Sequence, residues 1–90
     1  MLVLKYSGQF KKDLKRYKHN NAVLKDLEKV LDILIKGEIL PSKYLNHRLM
    51  GEFKDCFECH IRPDILLIYK IKEQEITILL LRIGSHSDIF

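Results

Sequence analysis

The stretch from Phe53 to Ile83, FKDCFECHIRPDILLIYKIKEQEITILLLRI, decides the fold. Runs of five to nine apolar, aromatic and β-branched residues are typical of strands, and three such runs follow one another: Phe53–Ile61, Ile65–Lys72 and Ile76–Ile83. The connections around Arg62-Pro63 and Glu73-Gln74 are short enough for hairpins. The stretch therefore predicts a three-stranded antiparallel meander.

The residues before this stretch predict a strand and two helices. Met1–Tyr6 is a strand candidate, and Phe10, Leu14 and Tyr17 then recur at helical spacing with lysines on the opposite side. After a break at His19-Asn20-Asn21, in which either Asn can cap a helix, a second amphipathic pattern ends at Gly37. Its apolar positions are Val23, Leu27, Val30, Leu31 and Leu34. Residues 38–51 are loop-like, so the order is βααβββ, an α+β fold with a helical hairpin packed on the sheet.

The size and charge of the chain limit what it can be. Ninety residues build one core, so we expect a single domain over residues 1–90. Residues 1–36 carry nine Lys/Arg against four Asp/Glu, whereas residues 37–90 carry seven against eight. The excess lies mostly in Lys11, Lys12, Lys15, Arg16 and Lys18. Such a patch attracts polyanions such as RNA, although a solvated helix face is the simpler alternative.

The chain lacks the signals of export. Lys5 interrupts the apolar opening, and no segment has the length of a membrane span. We therefore expect a cytoplasmic protein without membrane contact, in which Cys56 and Cys59 stay reduced.

Two tight hairpins predict a register for the meander. Turns centred on Arg62-Pro63 and Glu73-Gln74 set His60 opposite Ile65 and Ile65 opposite Arg82, with neighbours about 5 Å apart. One face is then apolar and suited to packing under the helices: Phe57, Cys59, Leu66, Ile68, Leu79 and Leu81. The other is polar towards Pro63 and holds Glu58, His60, Ile65, Leu67, Leu80 and Arg82.

Further polar residues join the polar end of that face. Asp64 lies in the first turn, His86 returns to the same edge just beyond Gly84, and His47 comes from the preceding loop. The sequence thus predicts that His47, His60 and His86 converge with Asp64 and Arg82 in a cleft.

Cofactor chemistry does not fit this pattern. Cys56-Phe57-Glu58-Cys59-His60 matches the C-x-x-C-H motif of haem attachment, but residues three apart in a strand point to opposite faces. A zinc site fails for the same reason, so we interpret Cys59 as a small core residue. The histidines and Asp64 lack a recognised ligand spacing, and a fixed cation such as Arg82 repels a metal ion. We expect neither a metal nor a cofactor.

RNA cleavage requires the groups that are present. A base must take the proton of a ribose 2′-hydroxyl, an acid must protonate the departing 5′ oxygen, and a cation must stabilise the phosphate. Histidine, with an ordinary pKa of about 6.5, serves as either base or acid, and arginine binds phosphate oxygens bidentately. Taken alone, His47 or His60 would more often be an ordinary surface residue, as we take His19 to be.

The chain also resembles YafQ-type toxins of the RelE/ParE superfamily. Tyr44–Gly51 is similar to their Y-x-x-H-x-L-x-G segment, and Glu58–Tyr69 to the H-[VIL]-x-P-D-x-[IL]-L-[IV]-Y stretch that follows. Arg82–Phe90 resembles the R-x-G-[ST]-H-x-x-[LI]-F ending, and Tyr6–Asp13 the family's opening. Ile65 and Phe57 depart from the pattern, because they stand where Trp and Arg are common. Without the Trp, a stacking platform for a base is missing.

The resemblance implies the toxin of a bacterial type II toxin–antitoxin module. Such toxins fold as a helical hairpin on a small twisted antiparallel sheet and cleave mRNA in the ribosome without a metal. The implied acid/base group is His47, His60, Asp64 and His86, with His86 the general acid. Arg82 would hold the scissile phosphate, and Glu58 would act as a base or orient His60.

The resemblance also implies binding residues and partners. The basic helix with Lys11, Lys12, Lys15 and Arg16 would face RNA, as would Lys54, and Phe90 would contact a base. The partners would be a cognate antitoxin, mRNA and the 70S ribosome, and, together with the antitoxin, operator DNA. Two alternatives remain: a non-catalytic ParE-like toxin that binds a protein such as gyrase, and a basic RNA-binding module without enzymatic activity.

Overall fold

A five-stranded sheet organises the chain, which a computed structural model describes from Met1 to Phe90. The strands are β1 (Val3–Tyr6), β2 (His47–Arg48), β3 (Phe57–Arg62), β4 (Ile65–Lys72) and β5 (Thr77–Gly84). The helices are α1 (Gly8–Leu14), extended by a 3₁₀ turn over Lys15–Tyr17, α2 (Asn21–Ile35) and α3 (His86–Ile89). None of them is long and apolar enough to span a membrane.

The predicted α+β fold, with a helical hairpin on a sheet, is confirmed, and the structure adds the strand β2 and the helix α3 to the predicted βααβββ order. Ser7 caps α1 and Asn20 caps α2, each side chain accepting a hydrogen bond from a backbone N–H three residues on. Gly37 follows α2 with φ 71°, the left-handed conformation that glycine adopts without strain. The apolar stripe of α2 is buried against the sheet through Val23, Leu27, Val30 and Leu34.

The sheet differs from the expected one in two respects. Its order is β1-β5-β4-β3-β2, and β1 pairs with β5 in parallel, while the other pairings are antiparallel. The second difference is β2, two residues within the segment that we predicted to be a loop. A two-residue strand carries no periodicity, so the sequence could not reveal it.

The predicted register of the meander is wrong. His60 lies opposite Leu66 rather than Ile65, and Arg82 lies opposite Ile68. The first turn is at Pro63-Asp64, with Arg62 opposite Ile65, and a bulge at Ile61 absorbs the extra residue. The second connection spans the four residues 73–76, and a further register shift between Ile68 and Tyr69 leaves Leu81 unpaired.

These bulges also reverse the predicted faces of β4 and β5. Ile65, Leu67 and Leu80, which we placed on the polar face, belong to the main core under the helices. The residues that we placed in that core instead form a smaller apolar cluster on the opposite face, together with Cys56 and Ile89: Leu66, Ile68 and Leu81. The assignment of β3 is correct, since Cys59 is fully buried in the main core. Cys56 and Cys59 therefore lie on opposite sides, as expected for two thiols that cannot share a cofactor.

Candidate active site

A buried carboxylate lies between two histidines on the face opposite α1 and α2. The pairing of β2 with β3 sets His47 directly opposite Glu58, and His60 follows Glu58 by two positions on the same side of β3. The Glu58 Oε2 atom lies 3.0 Å from His47 Nε2 and 3.9 Å from His60 Nε2. Glu58 is 7% exposed, whereas half of the His47 side chain is open to solvent. A protected carboxylate thus orients two accessible imidazoles.

The second nitrogen of each imidazole faces a backbone carbonyl. His47 Nδ1 donates to the Leu45 carbonyl oxygen at 2.7 Å, and His60 Nδ1 makes a longer contact of 3.4 Å with the Pro63 carbonyl oxygen. A carbonyl oxygen only accepts, so each Nδ1 carries a hydrogen. In His47 the Nε2 atom also faces an acceptor, the Glu58 carboxylate, and a hydrogen bond between them needs a hydrogen on Nε2 as well. In His60 the Nε2 atom lies 3.9 Å from Glu58, too far for a hydrogen bond, and its lone pair is able to take a proton.

Helix α3 brings His86 to the same face. Ser85 and Asp88 form a capping box at its start, and Ile89 packs into the cluster with Leu66 and Ile68. The His86 ring lies 4.9 Å from the Phe90 ring, between centroids, and Phe90 contacts Phe53 edge-on at 5.6 Å. His86 and Phe90 remain exposed, so both are available to a ligand.

Arg82 forms an ion pair with a buried carboxylate, that of Asp13, which was not predicted from the sequence. Its Nε donates to Asp13 Oδ2 at 2.7 Å and its Nη2 to Asp13 Oδ1 at 3.3 Å, while Nη2 also reaches the Asp88 carbonyl oxygen at 3.5 Å. Nη1 makes no hydrogen bond within the protein and is the atom left to meet a phosphate. Asp13 itself is 1% exposed. The signal was present in the sequence, because Asp13 lies beside Phe10 and Leu14 on the apolar side of its helix.

Asp64 is exposed in the turn between β3 and β4. Burial raises the pKa of the nearby Tyr17 hydroxyl, and the negative charges of Asp88 and Asp64 raise it further. Tyr17 therefore lies within electrostatic reach of both carboxylates. The end of the α1 segment, the Pro63-Asp64 turn and α3 consequently meet at one end of the sheet.

The predicted basic residues lie beside this end of the sheet. Lys11, Lys12 and Lys15 are exposed, and Arg16 Nη1 forms an ion pair with Asp88 Oδ2 at 3.1 Å, which joins the basic helix to α3. Lys54 is exposed next to Phe53, the residue against which Phe90 packs.

The structure thus brings His47, His60 and Glu58 into one group, with His86 on the same face. Arg82 lies farther from His60 than predicted, at the edge of the sheet beside α1. No group of three or more His, Cys, Asp or Glu side chains is arranged to hold a metal ion. The imidazoles around Glu58 are the groups that general acid–base chemistry uses.

The fold and the site together define a small α+β protein with an open sheet face that carries histidines around a buried carboxylate and a basic helix at its rim. Residues 2–90 match the family model described as the bacterial toxin of type II toxin–antitoxin systems, YafQ. The chain belongs to this YafQ toxin family.

Individual relatives agree with this assignment. The mRNA interferase toxin YafQ of Escherichia coli K12 is 32% identical over 88 residues, which cover 97% of this chain and 94% of the relative. A metal-bound toxin from Helicobacter pylori superimposes with a TM-score of 0.91 at 48% identity over the full length of both chains. The E. coli DinJ–YafQ complex matches with a TM-score of 0.87 at 31% identity, covering all of this chain and 99% of the other.

Proposed function

We propose that this toxin is an endoribonuclease that cleaves mRNA by general acid–base catalysis, with the whole chain acting as one toxin domain. The observation that carries the proposal is the contact of Glu58 with both His47 and His60 on an accessible sheet face. The E. coli relative that covers almost the entire chain is named an mRNA interferase toxin.

In the proposed reaction the ribose 2′-oxygen attacks the adjacent phosphorus and the bond from phosphorus to the 5′ oxygen breaks. His60 Nε2 takes the 2′-hydroxyl proton, and His86 gives a proton to the departing 5′ oxygen. Arg82, through its free Nη1, stabilises the charge on the phosphate oxygens, while His47, which contacts Glu58 and the Leu45 carbonyl, completes the acid–base group around Glu58. Asp64 and Phe90 orient the substrate at the same end of the sheet. The products are a 2′,3′-cyclic phosphate and a 5′-hydroxyl.

The proposed partners follow from the same comparisons and from charge. The YafQ protein of E. coli is found in complex with DinJ, and we propose that a cognate antitoxin binds this chain likewise. The exposed lysines of α1 and Lys54 would contact mRNA and the 70S ribosome in the cytoplasm, since phosphate-rich surfaces attract clustered cations. Together with its antitoxin, the toxin would bind operator DNA.

The chemistry of the cleaved ends tests the proposal. Purified protein is incubated with mRNA, with and without 70S ribosomes, and the new ends are mapped and treated with phosphatase and kinase. We expect 5′ ends that kinase labels directly and 3′ ends that resist phosphatase until acid opens the cyclic phosphate. Uncut mRNA in both reactions would contradict the proposal, and inhibited gyrase supercoiling with intact mRNA would favour the ParE-like alternative.

We expect chelation to leave the cleavage rate unchanged. The acid–base mechanism uses no metal, so EDTA should alter the rate by less than about twofold once ionic strength is matched, because ionic strength by itself changes RNA binding. The measurement compares initial rates on the ribosome-free substrate, or on ribosomes whose own Mg²⁺ is restored after the toxin alone has been treated. A rate that disappears with EDTA and returns with one divalent metal would show that the proposed mechanism is wrong.

A further inference from the structure

A cleft of about 450 Å³ lies along the part of β3 that β2 leaves unpaired. β2 pairs only with Phe57 and Glu58, so the β3 edge from His60 onwards is open. Helix α2 and the 3₁₀ turn Ser42–Tyr44 supply the other walls. The volume falls in the range of small-ligand pockets, and it suits one nucleotide.

Two lysines without an ion pair line this cleft, and the Nζ atom of one of them, Lys43, lies 5.1 Å from the centroid of the Tyr44 ring. Lys29 lines it from α2 and Lys43 from the 3₁₀ turn, and both are exposed and free of any ion pair. The remaining cation, Arg62, shares Nη1 with Asp26 Oδ2 at 2.9 Å, which leaves its other nitrogens available. An anionic group between the lysines would meet two positive charges and one partly neutralised guanidinium.

The mouth of the cleft also offers an apolar contact. Leu45 is held at φ 50°, in the left-handed region that a leucine rarely adopts, and 59% of its surface is exposed. Pro63 lines the opposite side. Leu45 is thus held exposed at the pocket in a strained conformation. Its side chain is available to contact the flat face of a base or sugar.

His60 belongs to both the cleft and the catalytic group. It lines the cleft, while its Nε2 faces Glu58. A ligand in the cleft is therefore a direct neighbour of the atoms that react at His60. This continuity favours a stretch of the substrate strand over an unrelated ligand.

We propose that the cleft binds the nucleotide of single-stranded RNA that adjoins the cleaved linkage, with Lys29 and Lys43 on its phosphate and Leu45 against its base. The inference rests on the proposed function and adds to it a second RNA-binding surface, separate from the lysines of α1. Removing one phosphate contact lowers the slope of log K against log salt by about 0.7 for single-stranded RNA.

The test compares the double variant Lys29→Ala/Lys43→Ala with the control Lys25→Ala/Lys36→Ala, which removes the same charge from exposed positions outside both the cleft and the basic face of α1. Affinity for a short RNA with one 2′-deoxy residue at the cleaved position is measured by fluorescence anisotropy from 50 to 300 mM salt. We expect the cleft variant to lose roughly 5-fold in affinity near 0.1 M salt and about 0.7 in the slope of log K against log salt, because the two lysines share one phosphate.

Cleavage kinetics separate binding from chemistry. The cleft variant should raise KM by a similar factor and leave kcat near the wild-type value, whereas charge reversal with Lys29→Glu should raise KM further. Equal KM and salt slope in the cleft variant and in wild type, with wild type cleaving normally, would overturn the inference and leave the proposed function intact. A cleft variant that cleaves RNA normally but escapes inhibition by the antitoxin would assign the cleft to an acidic protein segment instead.

The two proposals can fail independently. If the wild-type protein cleaves no RNA, the proposed function fails, and binding of the 2′-deoxy strand still decides whether the cleft holds RNA. Thermal melts of all variants show whether a loss of binding reflects a loss of fold, and exposed Lys→Ala changes should leave the melting temperature within a few degrees of that of wild type.

Discussion

Replacing His86 by alanine is expected to lower kcat for mRNA cleavage by roughly 100- to 10,000-fold, the contribution of one general acid. The departing 5′ oxygen would have to leave without a proton donor. The His86 side chain is exposed and supported only by the Phe90 ring, so its removal should leave the fold intact. Single-turnover cleavage measures the change, because it reports the chemical step without product release.

The control for this variant is His19→Ala, which removes an exposed histidine from the connection between the two helices of the hairpin. Its kcat should equal that of wild type. A substrate with a better leaving group, such as a 5′-phosphorothiolate at the cleaved linkage, should restore most of the activity of His86→Ala, since a sulfur leaving group needs no acid. Full activity of His86→Ala on ordinary RNA would show that His86 is not the general acid.

The Asp13→Asn variant is expected to lose about 3–5 kcal/mol in the free energy of unfolding. The Asp13 carboxylate is buried and accepts hydrogen bonds from Arg82, Gln9 and the backbone N–H of Ile83. An amide keeps one acceptor and adds a donor where four N–H donors from three residues already converge, and it leaves the Arg82 charge uncompensated. Urea denaturation followed by circular dichroism gives the change.

Asp26→Asn provides the matched control. Asp26 pairs with Arg62 at 2.9 Å, but 30% and 38% of the two side chains are exposed, so this pair should contribute no more than about 1 kcal/mol. Equal losses for the two variants would mean that burial does not strengthen the pair between Asp13 and Arg82.

The loss in the free energy of unfolding caused by Asp13→Asn should depend on pH. Burial raises the pKa of the Asp13 carboxyl, but its hydrogen bonds from Arg82, Gln9 and Ile83 outweigh burial and hold the pKa below the ordinary 3.8. A group whose pKa is lower in the folded state stabilises above its unfolded pKa and loses that stabilisation as pH falls through the folded pKa. The difference between wild type and variant should therefore be full at pH 6–8 and shrink below about pH 4.

Much of the fold was predictable because its elements are locally encoded. The stripe of α2, the Asn20 cap and the continuous apolar run of β4 each carry their own signal. The register of the strands was not predictable, because the bulge at Ile61 and the unpaired Leu81 have no signature in residue type or spacing. The single extra residue at Ile61 shifted β4 by one position against β3, which reversed the faces that we assigned to β4 and, with it, to most of β5.

The sequence predicted which residues form the candidate site better than it predicted how they lie relative to one another. His47, His60 and Glu58 form one group only because β2 exists, and two residues are too few to recognise as a strand. The partner of Arg82 lies 69 residues away in the chain, beyond any pattern of local spacing. The lysines of the cleft, Lys29 and Lys43, look like ordinary surface charges until the fold brings α2 beside the 3₁₀ turn.

The parallel pairing of β1 with β5 has a kinetic consequence. β1 has no other partner in the sheet, and the hydrogen bond from Ser7 to the Leu81 carbonyl spans 74 residues. The chain must close this long loop before the contacts between β1 and β5 can stabilise it. Folding is therefore slow and occurs late in synthesis. The strand β1 can therefore find its place in the sheet only after β5, with Arg82, has been translated.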